Sequence, residues 1–162
     1  MDSKFFINKI EGNWIIQSTN YSLIKNTIST SINHVFWKKI KNTNNEIILK
    51  NRILKFPITD RNVYIIESSN QKRNETFYKV FLCNEKMNKG SILKINYSGC
   101  IVSQAFFNYK NNQYCHINYQ YDNFNIAEKV YFINPNLKII KSIITKNDMC
   151  IGISFSSEIK IN

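Results

Sequence analysis

From Ile92 onward, apolar and polar positions alternate in short runs separated by turn residues. Ile92, Lys94 and Asn96 stand against Leu93, Ile95 and Tyr97, which reads as a half-buried strand stopped by Ser98-Gly99. Ile101 to Tyr109 follows and ends in Lys110-Asn111-Asn112; Tyr114 to Tyr121 runs into Asp122-Asn123. Ile126 to Ile133 ends at Asn134-Pro135-Asn136, and Leu137 to Thr145 at a Lys146-Asn147-Asp148 turn, before Met149 to Ile161. Runs rich in Ile, Tyr, Phe and Val, with a turn signal roughly every ten residues, predict an antiparallel meander. So long a meander must close on itself or split into a sandwich to manage its edges.

The first third is less regular. Met1 to Glu11 fits a short amphipathic helix with Phe5, Phe6 and Ile10 on one face, broken at Gly12-Asn13. Trp14 to Gln17 reads as a first strand. Tyr21 to Trp37 is ambiguous: Leu23, Ile24 and Ile28 fit a helix, whereas Thr27, Ser29, Thr30 and Ser31 favour extended chain. Ile47 to Phe56, Asn62 to Ser68 and Thr76 to Cys83 are expected strands, with a polar turn from Asn70 to Glu75. No boundary or internal repeat divides the chain, so residues 1–162 are expected to form one domain.

Composition sharpens this picture in three places. The 162 residues are 43% hydrophobic and 14% aromatic, which suits a folded core. With only 4 Gly and 2 Pro, tight turns fall to Asn, Asp and Ser, of which Asn tolerates left-handed backbone best. The net charge of +11 invites a nucleic-acid reading, but the basic residues are scattered singly and Lys far outnumbers Arg. Abundant Lys, Asn and Ile also match the coding bias of an A+T-rich genome, which favours a solvated lysine surface. Such a surface equally suits an acidic partner or the carboxylates of a ligand.

Cys83, Cys100, Cys115 and Cys150 lie far apart, without a C-x-x-C pair, and His34 and His116 add no ligand cluster. Reduced thiols and no metal site are expected. Neither a secretory signal nor a run of ~18 apolar residues is visible, so no membrane association is expected.

The most specific stretch is C-terminal. Tyr119-x-Tyr121-Asp122 leads into Glu128-Lys129-Val130-Tyr131-Phe132, then Asn134-Pro135-Asn136-Leu137-Lys138, and Ser154 to Lys160 closes the chain. Upstream stand Phe5-Phe6, Gly12-x-Trp14, Gln17-Ser18-Thr19 and the strand from Gly90 to Tyr97. Together these resemble the S-type phycobiliprotein lyases, which carry open-chain tetrapyrroles. The resemblance implies an all-β, lipocalin-like antiparallel β-barrel of about eight to ten strands with a short N-terminal helix. It further implies noncovalent binding of a phycobilin as substrate, phycoerythrobilin being the expected one. Delivery to a cysteine of an apo-phycobiliprotein subunit would follow, in a plastid stroma or the cytoplasm of a cyanobacterium-like host. A homodimer is among the assemblies it allows.

By the same resemblance Glu128 is the catalytic candidate, bonding the pyrrole nitrogens or protonating the bilin, and Lys138 a propionate partner. Strand alternation puts Glu128, Val130 and Phe132 on one face, and Ser142 on the face of Lys138. Trp14 reads as a barrel-bottom core residue and Glu158 as a structural carboxylate at the barrel's closure. Three positions depart from the family pattern. Ser18 stands where the family has Arg, Tyr21 where it has His, and Ile140 where the second Arg of a Leu-Arg-Leu-Arg run belongs. These ligand-wall candidates leave a second reading open: a bilin-binding paralogue, or a lyase partner, that attaches nothing. A third, a basic barrel binding nucleic acid, would require outward aromatics interleaved with Lys on one sheet face.

Overall fold

A computed structural model describes residues 9–40, 62–70, 75–84, 88–110 and 114–161. Ten strands run in chain order: β1 (Gly12–Ser22), β2 (Thr27–Lys39), β3 (Asn62–Asn70), β4 (Glu75–Asn84), β5 (Lys89–Asn96), β6 (Ile101–Lys110), β7 (Tyr114–Tyr121), β8 (Phe124–Asn134), β9 (Leu137–Lys146) and β10 (Met149–Ile161). Each pairs antiparallel with its neighbours in sequence, and β1 pairs with β10 to close the barrel. That last ladder runs from Asn13 opposite Ile161 to Ser22 opposite Gly152. Closure leaves no described strand with an open edge, which answers the edge problem without a second sheet.

The period-2 pattern explains most of these elements. From β3 onward the expected strands agree with the observed ones to within a few residues. The expected Ile47 to Phe56 strand lies outside the described residues, as do positions 71–74 of the polar turn. Of the expected N-terminal helix, Lys9 and Ile10 are helical, Glu11 is not, and residues 1–8 lie outside the described set. The break comes at Gly12, whose φ of 129° disfavours any other residue. The ambiguous segment resolves into a turn at residues 23–26 and the long strand β2.

Turn chemistry follows the scarcity of glycine. All five described non-glycine residues with positive φ are Asn or Asp: Asn26, Asn88, Asp122, Asn147 and Asp148. Glycine is needed where backbone and ring converge. A Cβ on Gly90 of β5 would meet the Leu82 carbonyl oxygen at 2.1 Å and the Phe107 ring at 2.7 Å.

Two apolar clusters result. One fills the barrel floor, with Trp14, Trp37, Ile66, Phe81, Phe107, Tyr109, Ile117 and Val130, and Ile10 beneath them. The Trp14 indole N–H donates to the Ile10 carbonyl at 2.6 Å and ties the helical residues to the floor. Trp14 is thus the core residue expected. The other cluster, around Ile65, Val80, Leu82, Leu93 and Ile95, lies on the outer face of β3, β4 and β5. Apolar side chains therefore cover both faces of that wall, and the polar members of the alternation, Lys79 and Lys94, point into the lumen. β5 is covered on both faces rather than half-buried: Ile92 and Lys94 share the luminal face, Leu93 and Ile95 pack in the outer cluster, and Tyr97 lies in an exposed turn.

Candidate functional site

Above the apolar floor the lumen becomes polar, and strand pairing arranges its side chains in rows. Phe132 of β8 stands opposite Lys138 of β9, Lys138 opposite Glu158 of β10, and Glu158 opposite Ile16 of β1. One level higher run Val130, Ile140, Ser156 and Ser18, and above them Glu128, Ser142, Ser154 and Asn20. The Asn134-Pro135-Asn136 turn makes this alignment, with the Asn136 N–H donating to Asn134 Oδ1 at 2.8 Å.

Lys138 and Glu158 are both buried and form an ion pair of 2.5 Å. The ammonium also lies 4.2 Å from the centre of the Trp14 ring and 5.4 Å from that of Trp37. It is held on three sides by the protein's own groups. Glu158 takes its structural place at the β1–β10 seam through this pair rather than through backbone.

Glu128 faces the lumen, as the alternation with Val130 requires. It accepts a 3.3 Å hydrogen bond from the Ser142 hydroxyl, and the Tyr119 hydroxyl of β7 faces it. Burial raises its pKa; the Lys79 ammonium and the two hydroxyls oppose the rise, and Glu158 adds to it. Tyr119 is pushed well above the ordinary phenol value, first by burial and then by Glu128, and so remains a donor. Lys79 of β4 lies over the Trp37 ring at 4.2 Å, and burial lowers its pKa to about 8. The Trp37 N–H, in a side chain only 8% exposed, finds no acceptor among the described residues.

Of the six candidates, Glu128, Lys138, Ser142, Ser18 and Ile140 come together around one lumen. Ser18 shares a 2.7 Å hydroxyl–hydroxyl bond with Ser156, and Ile140 packs on the floor cluster. Tyr21 stands apart. Its strand position faces outward opposite Ile28 and Ile153, and its hydroxyl donates to Asn26 Oδ1 at 2.5 Å. Sequence reasoning missed Lys79, Lys94, Tyr119 and Trp37. The signal available was their phase, since each shares a strand face with a buried apolar residue of the floor.

Three cavities bear on ligand size. Lys79, Ile92, Lys94, Ser103, Tyr119 and Tyr121 line about 150 Å³ inside the barrel. Two larger depressions, of about 540 and 510 Å³, lie on the outer wall around Phe106 and Asn118 and include none of the six candidates. The buried charged groups Glu128, Lys79, Lys138 and Glu158 converge on the lumen instead. Most buried rings also point inward. Outside, the Tyr114–Tyr131 ring pair is flanked by Lys129 and Lys141, a small patch beside the aromatic interior. Among the described residues no group of three His, Cys, Asp or Glu side chains is placed to hold a metal.

Comparison with known proteins agrees with this architecture. The model of the CpeS-like protein family matches residues 2–161. A chromophore lyase CpcS/CpeS homolog of Gracilaria tenuistipitata var. liui is 27% identical over 161 residues, covering 99% of each chain. The solved S-type phycobiliprotein lyase CPES of Guillardia theta superposes with a TM-score of 0.71 at 14% identity, over all of this chain and 94% of its own. A DUF3598-family protein of unknown function from Nostoc punctiforme gives a TM-score of 0.58 at 11% identity, over 96% of this chain and 49% of its own.

Proposed function

This chain belongs to the CpeS-like protein family, and from that premise we propose that it is a phycobiliprotein chromophore lyase that carries a phycobilin noncovalently in its barrel. The observation that carries the reading is Glu128: a raised-pKa carboxyl, bonded by Ser142 and facing Tyr119, in an aromatic lumen. An open-chain tetrapyrrole presents pyrrole N–H groups, an extended π-system and two propionates. Glu128 suits the nitrogens, the rings of Trp37, Tyr119 and Phe132 suit the π-system, and the lumen lysines suit the carboxylates.

Delivery then requires a thiol of the acceptor subunit to add to an exocyclic alkene carbon of the bilin. The S–C bond forms, the alkene π-pair takes up a proton, and nothing is oxidised or reduced. Glu128 is placed to hold the tetrapyrrole's protonation state before that step. The lumen thiol Cys115 does not compete, because burial pushes it up to about 12 and leaves it protonated.

Phycoerythrobilin titrated into the protein is expected to give a shifted, sharpened absorbance at about one per barrel, lost in denaturant. Incubation of that complex with apo-phycobiliprotein should leave the chromophore attached after denaturation. No spectral change with protein above micromolar concentration would overturn the reading. Ser18 and Ile140, at positions where the family resemblance places arginines, favour a second reading: binding without transfer. The two readings separate on the second assay alone.

A further inference from the structure

The lumen has two unlike walls. Ser154, Ser156, Ser18, Asn20 and Ser142 line the side formed by β9, β10, β1 and β2 with neutral hydroxyls and amides. Across the ring of strands, Lys79 of β4 and Lys94 of β5 stand directly opposite each other in the ladder. Their ammonium groups rest on aromatic faces, Lys79 over Trp37 at 4.2 Å and Lys94 over Phe77 at 3.8 Å. Neither makes an ion pair with a carboxylate among the described residues, and both line the 150 Å³ cavity.

Two like charges at directly paired positions repel each other, and burying an ammonium without a counter-ion adds a desolvation cost. Nothing in the packing requires it, since a strand facing a lumen accepts Leu or Thr at either position. Lys138 is committed to Glu158, and Lys160, over the Trp14 ring at the floor, donates to the Lys9 carbonyl.

We propose that Lys79 and Lys94 form a two-point anchor for a ligand bearing two carboxylates and, resting on the function proposed above, that they take both propionates of the tetrapyrrole. Neighbouring positions across an antiparallel pair are about 5 Å apart at Cβ, and two flexible lysine stems can spread from there to two side arms on adjacent pyrrole rings. Ser103, Tyr119 and Tyr121 surround the same cavity and offer hydroxyls to the outer carboxylate oxygens. Trp37, whose buried N–H beneath Lys79 has no acceptor among the described residues, offers a further donor. The cationic grip thus sits on β4 and β5, opposite the wall where Ser18 and Ile140 replace the arginines that the family resemblance implies. The lowered pKa of Lys79 is what an ammonium awaiting its counter-ion should show.

The test is an absorbance titration of phycoerythrobilin as free diacid and as propionate dimethyl ester. It uses wild type, Lys79→Met, Lys94→Met, the double variant, and Lys141→Met on the outer face as control. Expected are at least tenfold tighter binding of diacid than diester by wild type, roughly tenfold loss of diacid affinity in each single lysine variant, and further loss in the double. Diester affinity should be unchanged throughout, and Lys141→Met should match wild type. The apo variants should melt no lower than wild type, which separates lost binding from lost fold. Wild-type binding of the diacid that is indifferent to both lysines would overturn the anchor and leave the proposed function standing. Wild-type protein that binds neither form would overturn both.

Discussion

At the scale of single residues, the buried Lys138–Glu158 pair separates structural charge from functional charge. Removing one member leaves the other buried and unpaired, so Lys138→Met should cost about 3–5 kcal/mol in unfolding free energy, measured by denaturant titration. Lys138→Met with Glu158→Leu should regain most of that loss, because a matched apolar pair replaces the ions. Glu128→Gln keeps the shape but not the charge. It should alter the bound bilin's spectrum and slow transfer while changing affinity less, and a wild-type spectrum and transfer rate would remove Glu128 from the chemistry.

The Lys79 ammonium predicts a pH dependence whose sign is fixed. In the free protein it loses its proton near pH 8, and a carboxylate bound beside it would raise that value. Binding therefore takes up a proton above about pH 8, and diacid affinity should fall by up to about tenfold per pH unit there. Glu128, Glu158, Lys138 and Lys94 are the charged groups acting on Lys79, and Tyr119 stays protonated through this range. Lys79→Met should flatten the profile measured between about pH 8 and 10. The sequence marks Glu128, Lys138 and Ser142 through a local motif. It hides Lys79 and Lys94, because an alternating lysine ordinarily faces water, and only the second apolar face on β3–β5 turns them inward.

Among the elements, β2 shows why alternation alone left its segment open. Its outward positions are Ile28, Ile32 and Phe36, all exposed, while Ser31 and Asn33 face the lumen opposite Ser18 and Ile16. The period is that of a strand, but the phase is inverted at a polar lumen, so the apolar residues mimic a helical stripe. The C-terminal hairpins were legible to within a residue or two because each ends in Asn, Asp or Pro. At the β9–β10 turn, Asn147 and Asp148 both take left-handed φ, of 47° and 61°. Two-residue turns of that kind favour Asn-Gly, so Asp148→Gly should raise stability by about 0.5–1 kcal/mol, read as a higher melting temperature.

For the whole molecule, the +11 charge and the scattered lysines conceal an interior in which charge is sparse and individually placed. The meander was readable from turn spacing, which left barrel and sandwich open, and the barrel followed from the family resemblance; the residues that zip β1 to β10 were not readable, since no local signal encodes a pairing across the length of the chain. That closure also makes the barrel a ring in which strand order is cyclic. Asn13 of β1 pairs with Ile161 of β10, so a chain whose ends are joined by a flexible linker and which is cut at Asn147-Asp148 can keep every described strand pair. A circular permutant built this way should bind the same ligand with the same spectrum. In it, β9 and β10 would become the terminal strands, and the slow long-range step of folding would move from one seam of the wall to another.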